Sequence, residues 1–197
     1  MKKLAVLAML AVALLVTGCG KVPKAEVDAA KAAFDAAVAA QAEVFAPDAF
    51  ARAKTAMAEM EAEIAAQARK VFKGYDKAKA MALNVRKAAD DARAAAEARK
   101  TELKNELPRT LASLLDGVRT AEAKLAGALA IRGVRLDAAA VRTDLESVKR
   151  ILAQAKADLD AGRLADASTK ANQARDLLAR VNKTIDDARA AATVKKR

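Results

Sequence analysis

Residues 75–130 read YDKAKAMALNVRKAADDARAAAEARKTELKNELPRTLASLLDGVRTAEAKLAGALA, and their apolar positions decide the fold. Ala78, Ala82, Val85, Ala89, Ala92 and Ala96 lead into Leu103, Leu107, Leu111, Leu114, Val118, Ala121, Leu125 and Leu129 at spacings of three, four and seven. Such spacings put one stripe along one side of a 3.6-residue helix. Taken as a single helix the stretch would be about 80 Å long at 1.5 Å per residue. Pro108 interrupts it, removing a backbone donor and crowding the preceding turn. Either the helix kinks there, or Asn105 caps a fresh helix with Pro108 in its first turn. The stripe holds its phase through Pro108, which favours a kink.

The same periodicity extends to both sides. Upstream, Val27, Ala30, Phe34, Ala37, Gln41 and Val44 form one stretch. It stops at Ala46-Pro47-Asp48, where Pro suits a first helical turn and Asp its positive end. A second stretch carries Phe50, Ala53, Met57, Met60 and Ile64, with Val71 and Phe72 closing it and Gly74 available as a left-handed terminator. Downstream, the turn Ile131-Arg132-Gly133-Val134-Arg135 precedes Asp137, which is placed as an N-cap between Leu136 and Val141. A fourth helix carries Val141, Leu145, Val148, Leu152, Ala155 and Leu159 and ends at Gly162. A fifth carries Leu164, Ala167, Ala171, Ala174, Leu178, Val181, Ile185 and Ala188 and frays from Thr193. Short turns make consecutive helices antiparallel. The expected fold is all-α: an elongated antiparallel helical bundle of two three-helix units, residues 24–106 and 107–192, sharing a long helix kinked near Pro108.

Composition agrees. Of 197 residues 56 are Ala, aromatics make up 3%, and there are 7 Gly and 3 Pro, which suits neither sheets nor their turns. Ala on the stripes lets backbones approach closely but buries little area, so the core is thin and helix propensity carries more of the stability. No His is present, which removes the usual general base and metal ligand, and a single Cys excludes an internal disulfide or a thiolate zinc site. No cofactor is expected.

The N-terminus reads as a processing signal. Lys2 and Lys3 precede an apolar run from Leu4 to Val16, 13 residues long, where a membrane crossing needs about 20. The run ends in Val16-Thr17-Gly18-Cys19, which resembles the bacterial lipobox. That resemblance implies a signal peptide of residues 1–18, cleavage between Gly18 and Cys19, and acylation of Cys19. An ordinary secretory signal with a coincidental Cys is the alternative. Residues 19–23 then form a short lipidated tether. Gly20 follows the Cys where Asp commonly retains lipoproteins of diderm bacteria at the inner membrane, so the expected location is the periplasmic face of the outer membrane.

Candidate chemistry is sparse. Asp90-Asp91 and Asp186-Asp187 are the notable carboxylate pairs, but sequence neighbours on a helix point about 100° apart and do not converge on a substrate. Ser113, Ser147 and Ser168 lack a base partner, and isolated Gly127 and Gly133 make no phosphate cradle. Tyr75, the one tyrosine, reads as packing over a hairpin end. Beyond residue 18 there are 34 basic and 25 acidic residues, interspersed along helix faces. Two local concentrations stand out as candidate docking points for anionic surfaces: Arg132 with Arg135, and Lys195, Lys196 and Arg197 in a basic tail of residues 193–197. The tail reads first as a solvated end. Export makes nucleic acid an unsuitable partner, leaving the membrane through the lipid anchor, and peptidoglycan or another envelope protein. No feature sets an oligomeric state.

Two wider resemblances follow. The run from Ala46-Pro47-Asp48-Ala49 through Gly74-Tyr75-Asp76-Lys77-Ala78 to Asp91-Ala92 resembles a family of Ala-rich helical bacterial lipoproteins carrying a domain of unknown function, which implies an envelope helical hairpin. An acylated Cys followed by Ala-rich helices and a basic end is similar in outline to the murein lipoprotein, in which a terminal Lys is joined to peptidoglycan. Here Arg197 is last and Lys196 penultimate, so that attachment does not carry over. The expected function is a non-enzymatic spacer or interaction scaffold. The alternative is a lipid or amphiphile carrier, which would need broad apolar faces rich in Leu and Phe rather than narrow Ala stripes.

Overall fold

The structure is a computed structural model that describes residues 21–194. Among the described residues are six helices and no strand: α1 (Lys24–Ala39), α2 (Ala42–Phe45), α3 (Pro47–Ala68), α4 (Asp76–Leu129), α5 (Ala138–Asp160) and α6 (Leu164–Val194). The protein is all-α, as its periodicity requires. The chain divides into two units between Arg99 and Lys100, so α4 contributes residues to both.

In the first unit α1, α3 and the start of α4 pack up, down and up. Val27 and Ala30 of α1 share a cluster with Ala56 and Met60 of α3 and with Ala82 and Val85 of α4. Ala37 and Ala40 meet Phe50, Ala53, Ala89, Ala92 and Ala96 at the opposite end, where Phe34 stacks on Phe50 with ring centroids 5.3 Å apart. Ten of the buried positions in these two clusters are Ala, so the helices touch nearly backbone to backbone.

Two helix ends depart from the periodic reading. The first stretch does not run to Val44. α1 stops at Ala39, Gln41 takes a left-handed φ of 57°, and the single turn α2 leads into α3. A left-handed non-Gly residue costs about 1–2 kcal/mol. Packing of Ala40 and Ala42 into the cluster around Phe50 offsets it, while Val44 is left exposed. The second stretch does not reach Phe72 either. Arg69 and Lys70 donate backbone N–H groups to Ala66 and Gln67 carbonyls and close α3 at Ala68, leaving Val71 and Phe72 in solvent. Gly74 is not left-handed. Its N–H instead donates to the Oε1 of buried Gln67 at 3.4 Å, and the Gln67 amide donates to Glu63 at 2.7 Å. Tyr75 is buried at the end of this loop, as expected.

In the second unit the stripe from Leu103 to Leu125 packs with those of α5 and α6. Helix α4 runs unbroken through Pro108, so Asn105 caps no fresh helix. The donor that proline lacks would have met the Lys104 carbonyl; both residues are exposed, and water can take that carbonyl. Gly117 sits where α4 approaches α6: a Cβ there would lie 2.9 Å from the Leu178 side chain. Asp137 caps α5, accepting N–H bonds from Ala139 and Ala140 at 3.1 and 3.0 Å. At the other end Gly162, at φ +74°, allows the Arg163 N–H to reach the Asp158 carbonyl at 2.8 Å and its own N–H to reach Leu159 at 2.9 Å. This pair of bonds is the Schellman closure that the glycine predicted. Helix α6 continues past the expected fraying point: Thr193 is helical, its hydroxyl donating to the Ala190 carbonyl at 2.7 Å.

Candidate functional site

The lipidation and cleavage residues, Cys19 and Gly18, and the basic tail residues Lys195, Lys196 and Arg197 lie outside the described residues. Arg132 and Arg135 are exposed in the connection between α4 and α5. Because α5 and α6 run antiparallel, the end of α6 returns to this same end of the second unit. The Lys124 ammonium of α4 reaches Asp186 of α6 at 3.1 Å and ties the two helices there. Val194, the last described residue, therefore closes α6 near the Arg132–Arg135 turn, and the three tail cations follow it in sequence. An open groove of about 460 Å³ flanks this end, lined by the apolar Leu125, Leu129 and Leu145 together with Glu122, Arg142 and Glu146.

The carboxylate pairs do not converge. Asp90 engages Arg93 at 3.3 Å and Arg86 at 3.9 Å, whereas Asp91 is exposed on the neighbouring face. Asp186 faces Lys124, and Asp187 faces Lys183 at 2.7 Å. The Ser147 hydroxyl donates to the Thr143 carbonyl at 3.0 Å within its own helix. Each of these contacts suits a solvated helix surface.

The described charge cluster with the deepest carboxylate was not read from the sequence. Asp158, 5% exposed, sits where α5 ends. Its Oδ1 accepts from the Arg163 guanidinium, with Nε at 3.0 Å, and its Oδ2 accepts from the Lys170 ammonium. The Lys170 hydrogen bond first, and Arg163 after it, hold the Asp158 carboxyl below the usual carboxylate range against the opposing effect of burial. Its contribution to stability is present at neutral pH and is lost as acid carries the group through that depressed pKa. The cluster joins the end of α5 to the start of α6, and its role is to fix the hairpin. A carboxylate in the register of Leu152 and Ala155, followed by cations five and twelve residues later, was the available signal.

At the N-terminal end of α1 the charges also bridge helices. Glu26 meets Lys79 at 2.8 Å, and Glu63 meets Lys77 at 2.8 Å. The Lys79 hydrogen bond is the main cause that lowers the Glu26 pKa; for Glu63 it is the Gln67 amide, then Lys77. Val22, just ahead of α1, packs partly buried against the cluster that includes Met60 and Val85, alongside Ile64 and Met81. The chain thus enters the first unit at the end where α3 finishes and α4 starts. Compared with protein-family models, with curated proteins and with solved structures, the chain matches none of them.

Proposed function

We propose that this chain is an outer-membrane-anchored lipoprotein of the periplasm, acting without enzymatic activity as a helical spacer or interaction scaffold in the cell envelope. One observation carries the reading: Lys2-Lys3, a 13-residue apolar run and Val16-Thr17-Gly18-Cys19 occur in the order and lengths of a lipoprotein signal. Each buried acyl CH₂ contributes about 0.8 kcal/mol, so the three chains of a fully acylated Cys19 hold a protein on a membrane for practical purposes. No helix among the described residues is long and apolar enough to cross a membrane. Gly20 after the Cys supports the outer membrane over the inner.

The scaffold role is supported by what the helices offer to solvent. Their stripes are consumed in a core that is Ala-rich in the first unit and richer in Leu and Val in the second, and their outer faces carry interspersed cations and carboxylates, some of them paired within or between helices. The exposed Arg132 and Arg135 give one end of the second unit cations suited to anionic partners such as peptidoglycan or an acidic envelope protein, and Lys195, Lys196 and Arg197 follow α6 in the sequence. The carrier reading finds less support in the first unit, where the apolar stripes are closed by close packing of small Ala side chains.

Membrane fractionation tests the anchor. Wild-type protein is expected in the outer-membrane fraction and Cys19→Ala is expected to leave it; an unchanged distribution of the variant would refute the proposal.

A further inference from the structure

The loop between α3 and α4 reads Arg69-Lys70-Val71-Phe72-Lys73, and its apolar residues are the most exposed large ones described: Val71 at 90% and Phe72 at 92%. The other three phenylalanines, Phe34, Phe45 and Phe50, are buried or half-buried in the first unit. Phe72 is therefore an outlier in a chain that otherwise uses its few aromatics as core. Three cations surround the two apolar side chains, and residues 69–75 contain no carboxylate. Glu63 and Glu26 are engaged by Lys77 and Lys79, and Asp76 opens α4 just beyond the loop, so the three loop cations leave the local charge positive.

Position adds the second observation. Val22 packs against the cluster of Val27, Met60 and Val85, and Glu26 in the first turn of α1 bridges to Lys79 at the start of α4, so the chain entering α1 and the exposed loop lie at the same end of the first unit. Cys19 precedes Val22 by three residues, a reach of about 11 Å at most for an extended chain. We infer that Arg69–Lys73 is a second membrane contact: Val71 and Phe72 enter the boundary between headgroups and acyl chains, while Arg69, Lys70 and Lys73 meet the phosphates of an anionic bilayer. Apolar side chains flanked by cations are the composition that binds membrane interfaces, the cations adding attraction that weakens with salt. The inference rests on the anchor reading for its biological setting. Held close to lipid by an acyl chain, a loop of weak intrinsic affinity is engaged most of the time, since its effective concentration is high. The two attachments together fix how the first unit stands on the bilayer.

The chain contains no Trp, so Phe72→Trp supplies a single local reporter at a site open enough to accept it without repacking. The full protein carrying Phe72→Trp is mixed with vesicles of phosphatidylethanolamine and phosphatidylglycerol, and with phosphatidylcholine vesicles for comparison. The expected result is a shift of emission to shorter wavelength, quenching by brominated acyl chains, and a weaker response without the anionic lipid. Val71→Ser with Phe72→Ser in a Cys19→Ala background is expected to lower vesicle partitioning about tenfold or more relative to Cys19→Ala alone, with unchanged thermal unfolding. Co-flotation reports the anchor and tryptophan emission reports the loop, so the two readings fail separately. Emission that stays as in water, whether or not the protein floats with the vesicles, overturns the loop contact.

Discussion

Leu145→Asp is expected to abolish cooperative unfolding of the second unit at neutral pH, or to lower its stability by about 4 kcal/mol or more. Leu145 is 2% exposed and lies midway in the α5 stripe between Val141 and Val148, which are also buried. A carboxylate there is desolvated among apolar neighbours, a penalty that the nearby Arg142 at the groove does not remove for a side chain this deeply buried, and the methyl contacts of the leucine are lost as well. Total stabilities of ordinary domains are about 5–15 kcal/mol, so one such change consumes much of the margin. Leu145→Met preserves volume and polarity and should cost less than about 1.5 kcal/mol. Thermal unfolding followed by far-ultraviolet circular dichroism distinguishes them. An Asp variant that melts like the wild type would mean that α5 does not bury this face.

Ala53→Leu is expected to destabilise the first unit by about 1–3 kcal/mol, although it adds apolar surface. Ala53 is fully buried among Ala37, Ala89, Ala92 and Ala96, with Phe50 on its own helix. Three added carbons have no void to enter, because the neighbouring positions on both facing helices are already the smallest that carry a Cβ. The helices must separate or the leucine must leave its rotamer. Ala58→Leu on the exposed face of the same helix keeps propensity nearly equal and should change stability by no more than about 0.5 kcal/mol. Denaturant unfolding of the pair separates close packing from simple hydrophobicity; equal midpoints would show that the Ala cluster tolerates expansion.

The fold was legible because its signal is repeated. Ala78 to Ala96, Leu103 to Leu125, Val141 to Ala155 and Leu164 to Ile185 recur at helical spacing, and the structure buries each of these stripes. Caps with a specific chemistry were also legible, as Asp137 and Gly162 illustrate. The breaks that were missed have no local punctuation. Gln41 adopts its left-handed backbone because Ala40 and Ala42 gain burial on either side, a tertiary effect with no Gly or Pro to announce it. Val71 and Phe72 satisfied the stripe by spacing alone, whereas the chain had to leave α3 in order to reverse into α4. Leu159 fitted the α5 stripe and is half-buried, because the hairpin turns its neighbour Asp158 inward to meet Arg163 and Lys170.

The proposed site was legible in part. Arg132 and Arg135 could be found as a local concentration of charge. Their sharing an end with the close of α6 required the antiparallel packing of α5 and α6. The exposed Arg69–Lys73 loop could not be found by periodicity, since its apolar residues mimic a core continuation.

Intact-mass spectrometry of the protein isolated from membranes of its native type of host tests the central claim most directly. The account predicts a chain that begins at Cys19 and carries the added mass of acyl chains on that residue. A product that retains residues 1–18, or that bears an unmodified Cys19 thiol, would contradict it.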